Sequence, residues 1–257
     1  MPSIGVFDSG VGGLTVLRAL KTHWPNENFI YLADTARLPY GNKSIGTVHN
    51  YVEQCLGFMS RHPLKAVVIA CNTASAAMIE APIEFSVPVF NVIEPGARKA
   101  LEASQNKKIG VLATRATVQS EAYPHALKRL NPEVESHQLA CPLFVPLVEE
   151  GWVDDPVTNL IVYRYVSNIS RHGIDTLIMG CTHYPVLKAN IRRAVGGGIR
   201  LIDSSPGLIE DLGQVDGIGQ GDRRMSILCT DFSPRLEETA KLLLGDIAFE
   251  PIQSVDL

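Results

Sequence analysis

Two cysteines of this chain stand in matching settings. Cys71 ends the run AVVIAC and is followed by Asn72 and Thr73; Cys181 ends the run DTLIMGC and is followed by Thr182 and His183. In each, an apolar run gives way to a small residue, a thiol and a polar residue able to open a helix. Two thiols on opposite faces of one small substrate can do what a single thiol cannot. One removes a proton from carbon while the other delivers a proton to the opposite face, which inverts a stereocentre. Such chemistry brings reacting atoms to roughly 3–3.5 Å, so the two sulfurs belong on the order of 7 Å apart. That is too far for a disulfide.

Other polar residues stand in comparable places. Asp8 ends an apolar run and precedes Ser9-Gly10 and Gly12-Gly13; it reads as a helix N-cap, a catalytic assistant, or both. The SGVGG run resembles an anion-binding turn of backbone N–H groups. It lacks the GxGxxG spacing and the acidic ribose reader of a dinucleotide site. A helix starting near Asn72 would turn its positive end toward Cys71 and favour the thiolate; the competing reading is a buried structural thiol. His183, two residues from Cys181, is placed to tune proton transfer, and a structural histidine is the plainer alternative. Asp34-Thr35 and Pro39-Tyr40-Gly41 form a polar turn that could offer backbone N–H groups and the Tyr40 phenol to a ligand, or be an ordinary β-turn. Cys55, Cys141 and Cys229 read as core or structural residues.

The elements that must position these groups follow a simple pattern. Short β-branched runs at 4–7, 29–32, 66–70, 89–93, 108–113, 176–179 and 199–202 alternate with helical stretches such as 14–23, 47–61 and 157–172. This is the signature of parallel sheets covered by helices. Ile4-Gly5-Val6 returns as Ile109-Gly110-Val111, Cys71 as Cys181, and Val92-Ile93-Glu94-Pro95 as Leu201-Ile202-Asp203-Ser204, in the same order and at offsets of about 105–110 residues. The expected fold is therefore α/β: two pseudo-symmetric lobes, each a mostly parallel sheet flanked by helices, with the active site in the interlobe cleft. Residues 1–95 plus 207–257 would form the first lobe and 96–206 the second. The tail would return through a strand near 226–229 and a helix near 235–244. In open parallel sheets ligands bind beyond the carboxyl ends of strands. Asp8-Ser9, Cys71-Asn72-Thr73, Thr114 and Cys181-Thr182-His183 all fall there.

Bulk properties bound the function. The chain has 257 residues, 46% of them hydrophobic and 19% charged, with a net charge of −4. A pI near 6.0 gives no electrostatic case for nucleic acid or an anionic membrane. No apolar run reaches the ~18 residues of a spanning helix, and MPSIGVFDSG has neither the basic nor the apolar region of a signal peptide. A cytoplasmic protein with reduced thiols is expected. Five scattered cysteines make no disulfide framework, and no CxxC, HExxH or zinc spacing suggests a metal.

Five motifs together resemble a known family: FDSGVGGL (7–14), DTARLPYG (34–41), ACNTAS (70–75), CPLFVPLVE (141–149) and GCTHYP (180–185). They are similar to those of the bacterial glutamate racemases, in the cofactor-independent aspartate/glutamate racemase superfamily, and the likeness runs from about residue 4 to 205. The resemblance implies that Cys71 and Cys181 are the acid/base thiols, serving the D- and L-enantiomers respectively. It implies that Asp8 assists Cys71 and His183 assists Cys181, with Glu149 positioning His183. Substrate carboxylates and ammonium would be held at Asp8, Ser9, Tyr40, Gly41, Asn72, Thr73, Thr114, Thr182 and His183. It implies L- and D-glutamate as substrate and product, no cofactor, D-glutamate for peptidoglycan, and a homodimer. Some members carry an N-terminal extension linked to activation by a cell-wall precursor; here the first strand begins near residue 3, which argues against expecting that mode of regulation. The alternatives are a racemase of aspartate or another acidic amino acid, whose pocket would differ by a methylene worth only ~1–3 kcal/mol, and a two-lobed binding protein that clamps an amino acid without reacting.

Overall fold

A strand whose side chains are nearly all buried needs cover on both faces. The computed structural model, which describes residues 1–257, supplies that cover with helices around two sheets. The strands are β1 (Ser3–Asp8), β2 (Phe29–Ala33), β3 (Leu64–Ile69), β4 (Val89–Asn91), β5 (Lys108–Ala113), β6 (Glu135–Ala140), β7 (Thr176–Gly180), β8 (Arg200–Ile202), β9 (Met225–Cys229) and β10 (Gln253–Ser254). The helices are α1 (Leu14–His23), α2 (Ile45–Met59), α3 (Asn72–Glu80), α4 (Ile93–Ala103), α5 (Arg115–Gln119), α6 (Ala122–Leu130), α7 (Phe144–Glu149), α8 (Pro156–Ser170), α9 (Lys188–Val195), α10 (Ser205–Leu212) and α11 (Pro234–Leu244).

The first sheet runs β10-β9-β2-β1-β3-β4 and the second β6-β5-β7-β8. Every pairing is parallel. Setting β10 and β9 aside, the two orders are the same: β2-β1-β3-β4 corresponds to β6-β5-β7-β8. The repeated Ile-Gly-Val triplets lie in β1 and β5, and the two cysteines follow β3 and β7. The third pair of anchors is out of step. Val92 lies just past β4, where α4 opens, whereas Leu201 lies inside β8.

The strand expected at 89–93 ends at Asn91, with Ile93 already in α4, and two strands are absent from the sequence reading. No strand was expected at 135–140, yet β6 is there. Its sequence, ESHQLA, has no apolar run because it is an edge strand with a single neighbour and no fully buried residue. The second is β10, an exposed two-residue strand beside β9.

Helix ends follow local chemistry. Ser44, Thr114, Asp155 and Ser233 cap α2, α5, α8 and α11 with side-chain oxygens. Asp8 caps no helix, because α1 opens only after Gly13, which has no side chain to cap it. Separate apolar clusters fill the two faces of each sheet. Some packing crosses between the halves: Ala76 of α3 sits among α4, β5 and α6, and Val186 touches clusters of both sheets. No helix is long and apolar enough to cross a membrane.

Candidate active site

The central strands of both sheets aim their carboxyl ends at one cavity. Cys71 leaves β3 and stands at the N-terminus of α3; Cys181 leaves β7 just before the 3-10 turn Tyr184–Leu187. Both thiols line this cavity, from opposite halves of the molecule. Its volume is ≈ 90 Å³, several times the ~10–15 Å³ that one water needs. Cys71 is 6% and Cys181 7% exposed, so both sulfurs are nearly dry yet reachable. All five cysteines are free.

Of the residues singled out in the sequence, Ser9, Tyr40, Gly41, Asn72, Thr73, Thr114, Glu149, Thr182 and His183 also line the cavity. Asp8 does not. It is fully buried behind the wall, where its carboxylate accepts the Gly10 N–H at 3.0 Å and the Thr182 hydroxyl at 3.4 Å. The anion received by the SGVGG turn is thus the chain's own Asp8. Burial lifts the Asp8 carboxyl to about 6; the His183 charge, the Gly10 and Gly13 N–H groups and the Thr182 hydroxyl limit the rise.

The two thiols have different surroundings. Cys71 donates to Ser9 Oγ at 3.5 Å. Burial first, and the Asp8 charge second, push its thiol up to about 12, although the Ala74 N–H and the Ser9 hydroxyl pull it down. The expected advantage of the helix N-terminus is present but outweighed. Cys181 Sγ instead lies 3.9 Å from His183 Nδ1. His183 Nε2 is 3.3 Å from Glu149 Oε1, within ion-pair reach but outside hydrogen-bond geometry. Burial presses the imidazole toward its neutral form. Cys181 on one side and Glu149 on the other outweigh that and raise His183 to about 10. Cys71 therefore has a carboxylate behind it, and Cys181 has an imidazolium.

Glycine makes this crowding feasible. A Cβ on Gly12 would come within 2.4 Å of both His183 Nδ1 and Thr182 Oγ1; one on Gly13 would meet Asp8 Cβ at 2.5 Å; one on Gly41 would meet Thr114 Cβ at 2.6 Å. Hydroxyls link the halves beside the cavity. Thr73 Oγ1 lies 2.9 Å from Thr114 Oγ1 and 3.1 Å from Thr117 Oγ1, and Tyr123 donates to Asn72 Oδ1 at 2.7 Å.

Tyr40 departs from its expected use. Its phenol donates to the buried Asp34 carboxylate, which also pairs with Arg37 Nε at 2.6 Å and accepts from Thr230 at 3.0 Å. The phenol anchors the 38–42 turn, with its cis Leu38-Pro39 bond, and is not held out toward a ligand. Cys141, expected to be structural, has no exposed surface yet forms part of the cavity wall, and burial followed by Cys181 raises its thiol. Gly10, Leu38, Pro39, Asn42, Arg115, Pro142, Val145 and Pro146 complete the wall. Arg115 follows Thr114 at a strand end and was findable by that rule; the Val145 wall becomes legible only once α7 is seen to fold over the cavity. No three His, Cys, Asp or Glu side chains converge as a metal site requires.

Residues 14–211 match the family model described as Asp/Glu/Hydantoin racemase. A glutamate racemase of Sulfurihydrogenibium sp. is 43% identical over 256 residues, covering 99% of this chain and 98% of that protein. Among solved structures, a glutamate racemase isoform of Bacillus anthracis superposes with a TM-score of 0.93 at 35% identity, covering 100% of this chain and 98% of its own. The glutamate racemase of Francisella tularensis, solved in complex with D-glutamate, gives a TM-score of 0.87 at 32% identity over 99% of this chain and 97% of its own. With two thiols on one cavity and this likeness over its whole length, the chain belongs to the glutamate racemases of the Asp/Glu/hydantoin racemase family and is an amino-acid racemase, an isomerase.

Proposed function

We propose that the chain interconverts L- and D-glutamate by a two-base proton transfer at Cα, with Cys181 serving the L-enantiomer and Cys71 the D-enantiomer. The observation that carries this reading is that the two thiols line one cavity from opposite halves of the molecule, each at a strand end. In the L-to-D direction, the Cys181 thiolate removes the Cα proton and the Cys71 thiol delivers its own to the other face. In the reverse direction the roles exchange. The His183 imidazolium gives a negative Cys181 its counter-charge. Asp8, buried behind the wall and close enough to raise the Cys71 thiol, accompanies the proton on that side. Ser9, Asn72, Thr73, Thr114 and Thr182 supply hydroxyl and amide groups for the substrate's carboxylates and ammonium, and the Tyr40-Gly41 turn supplies backbone. A nearly dry cavity strengthens each of these contacts.

The reading extends to the cell. A cytoplasmic protein, a homodimer, and D-glutamate delivered to peptidoglycan synthesis complete it, as does a division into lobes of residues 1–95 plus 207–257 and 96–206. Exposed Leu143, Trp152, Val157, Leu160 and Tyr163 on one segment of the second half support self-association. Glutamate is favoured over aspartate by the bound D-glutamate of the Francisella relative.

The test is incubation with L-glutamate in D2O without added cofactor, with L-aspartate in parallel. D-glutamate carrying deuterium at Cα, with aspartate inert, is the expected result. Turnover of aspartate alone would move the reading to the other substrate, and exchange into neither would favour a binding role.

A further inference from the structure

One charged side chain outside the cavity bridges the two halves at the edge of the site. Arg235 lies in the first turn of α11, which packs by Leu236, Ala240, Leu243 and Leu244 into the core of the first sheet. Its guanidinium reaches across to the end of α7, which packs by Phe144 and Val148 into the core of the second sheet. Nε and Nη2 both donate to the Glu149 carbonyl, at 3.1 and 2.5 Å, and Nη2 lies 3.1 Å from Glu150 Oε2. The Glu149 carbonyl ends α7 and has no onward helical partner, so a cation there satisfies an orphan acceptor and meets the negative end of the helix. Glu149 is thereby held from two directions. Its carbonyl is gripped by Arg235 from an outer groove, and its carboxylate faces His183 in the cavity.

We infer that Arg235 is a positioning residue, a latch between the halves that fixes the end of α7 and through Glu149 sets His183 against Cys181. The inference rests on the two-thiol reading above. Arg235 does not line the cavity and is not expected to touch substrate. Its influence falls first on the Cys181 side, because its hydrogen bonds and ion pair go to Glu149 and Glu150 and none reaches Asp8 or Cys71. Its exposed guanidinium makes the latch sensitive to salt.

The experiment compares wild type with R235Q, R235K and E150Q, and with C181S as a control, on L- and D-glutamate carrying hydrogen or deuterium at Cα. For R235Q, kcat/KM falls about three- to tenfold, the rate equivalent of one hydrogen bond of ordinary strength. The loss is equal in both directions, as the overall equilibrium requires. The primary isotope effect grows for L-glutamate, whose proton Cys181 takes, and shrinks for D-glutamate, whose proton Cys71 takes, because delivery from Cys181 becomes the slower step. R235K restores most of the rate because one donor and the charge remain, and E150Q loses less than R235Q because both carbonyl bonds survive. Unchanged kcat/KM in R235Q overturns the latch. So does a loss whose isotope effects change equally in the two directions, since general loosening of the fold would do that. Full activity in C181S would instead remove the two-thiol reading. If R235Q does not fold, R235K and E150Q carry the same comparison.

Discussion

At the scale of the residue, the two thiols are chemically unequal although their settings look alike in the sequence. Burial and a carboxylate act on Cys71, whereas an imidazolium stands beside Cys181. Serine at either position keeps the size but cannot form the anion at neutral pH. Cys71→Ser and Cys181→Ser are each expected to lower racemisation by at least about 10²–10⁴, the usual worth of a positioned acid or base. A single variant racemising at the wild-type rate in both directions would end the two-base reading. Asp8 carries a stability cost for its role. Its carboxyl is raised from the ordinary 3.8 to about 6, which corresponds to roughly 3 kcal/mol spent on holding it ionised in the fold at neutral pH. A raised native pKa means that the folded state binds the proton more tightly. The stabilisation is fully present below about 3.8 and is lost as the pH rises through about 6. Asp8→Asn should therefore raise the urea midpoint at pH 8, by the equivalent of up to about 3 kcal/mol of stability, and the gain should vanish below pH 4. A midpoint that falls equally at both pH values would show that Asp8 is held ionised without cost.

At the scale of the element, the strand-to-helix turns put glycine where backbone and side chain meet too closely for a Cβ. Gly13→Ala forces Asp8 and Tyr31 aside, since the new methyl would lie 2.5 Å from Asp8 Cβ and 2.8 Å from the Tyr31 hydroxyl. The expected cost is about 1–3 kcal/mol of stability, the usual range for overpacking, together with lost activity, and thermal unfolding and kcat measure both. A variant as stable and as active as wild type would mean that β1 and α1 can spread apart freely. These turns also explain what was legible in advance. Buried central strands announced themselves as apolar runs, and β5 was read to the residue. The edge strand β6 was not, because a strand with one neighbour need not be apolar. Cys71, Cys181, His183 and the threonines were findable as polar residues ending buried strands. The direction of the Tyr40 phenol was not, since its partner Asp34 is set by how the 34–42 turn folds on itself. The bridge from Arg235 to Glu149 spans 86 positions and rests on two exposed helix ends that no local pattern marks.

At the scale of the whole molecule, two sheets of matching order share one cavity and also share packing. Ala76 and Val186 join the cores of the two halves, and hydroxyls of Thr73, Thr114 and Thr117 meet beside the site. The halves are therefore expected to unfold together. Calorimetry on the unliganded protein should give one transition whose calorimetric and van't Hoff enthalpies agree. A ligand held by both halves binds only the folded form. D-glutamate at 100 times its Kd should then add about 2.7 kcal/mol to the stability and move the single transition upward without splitting it. Two transitions, of which glutamate shifts only one, would mean that the substrate is held by one half alone. Proton transfer between thiols of opposite halves would then require a docking step that this architecture does not call for.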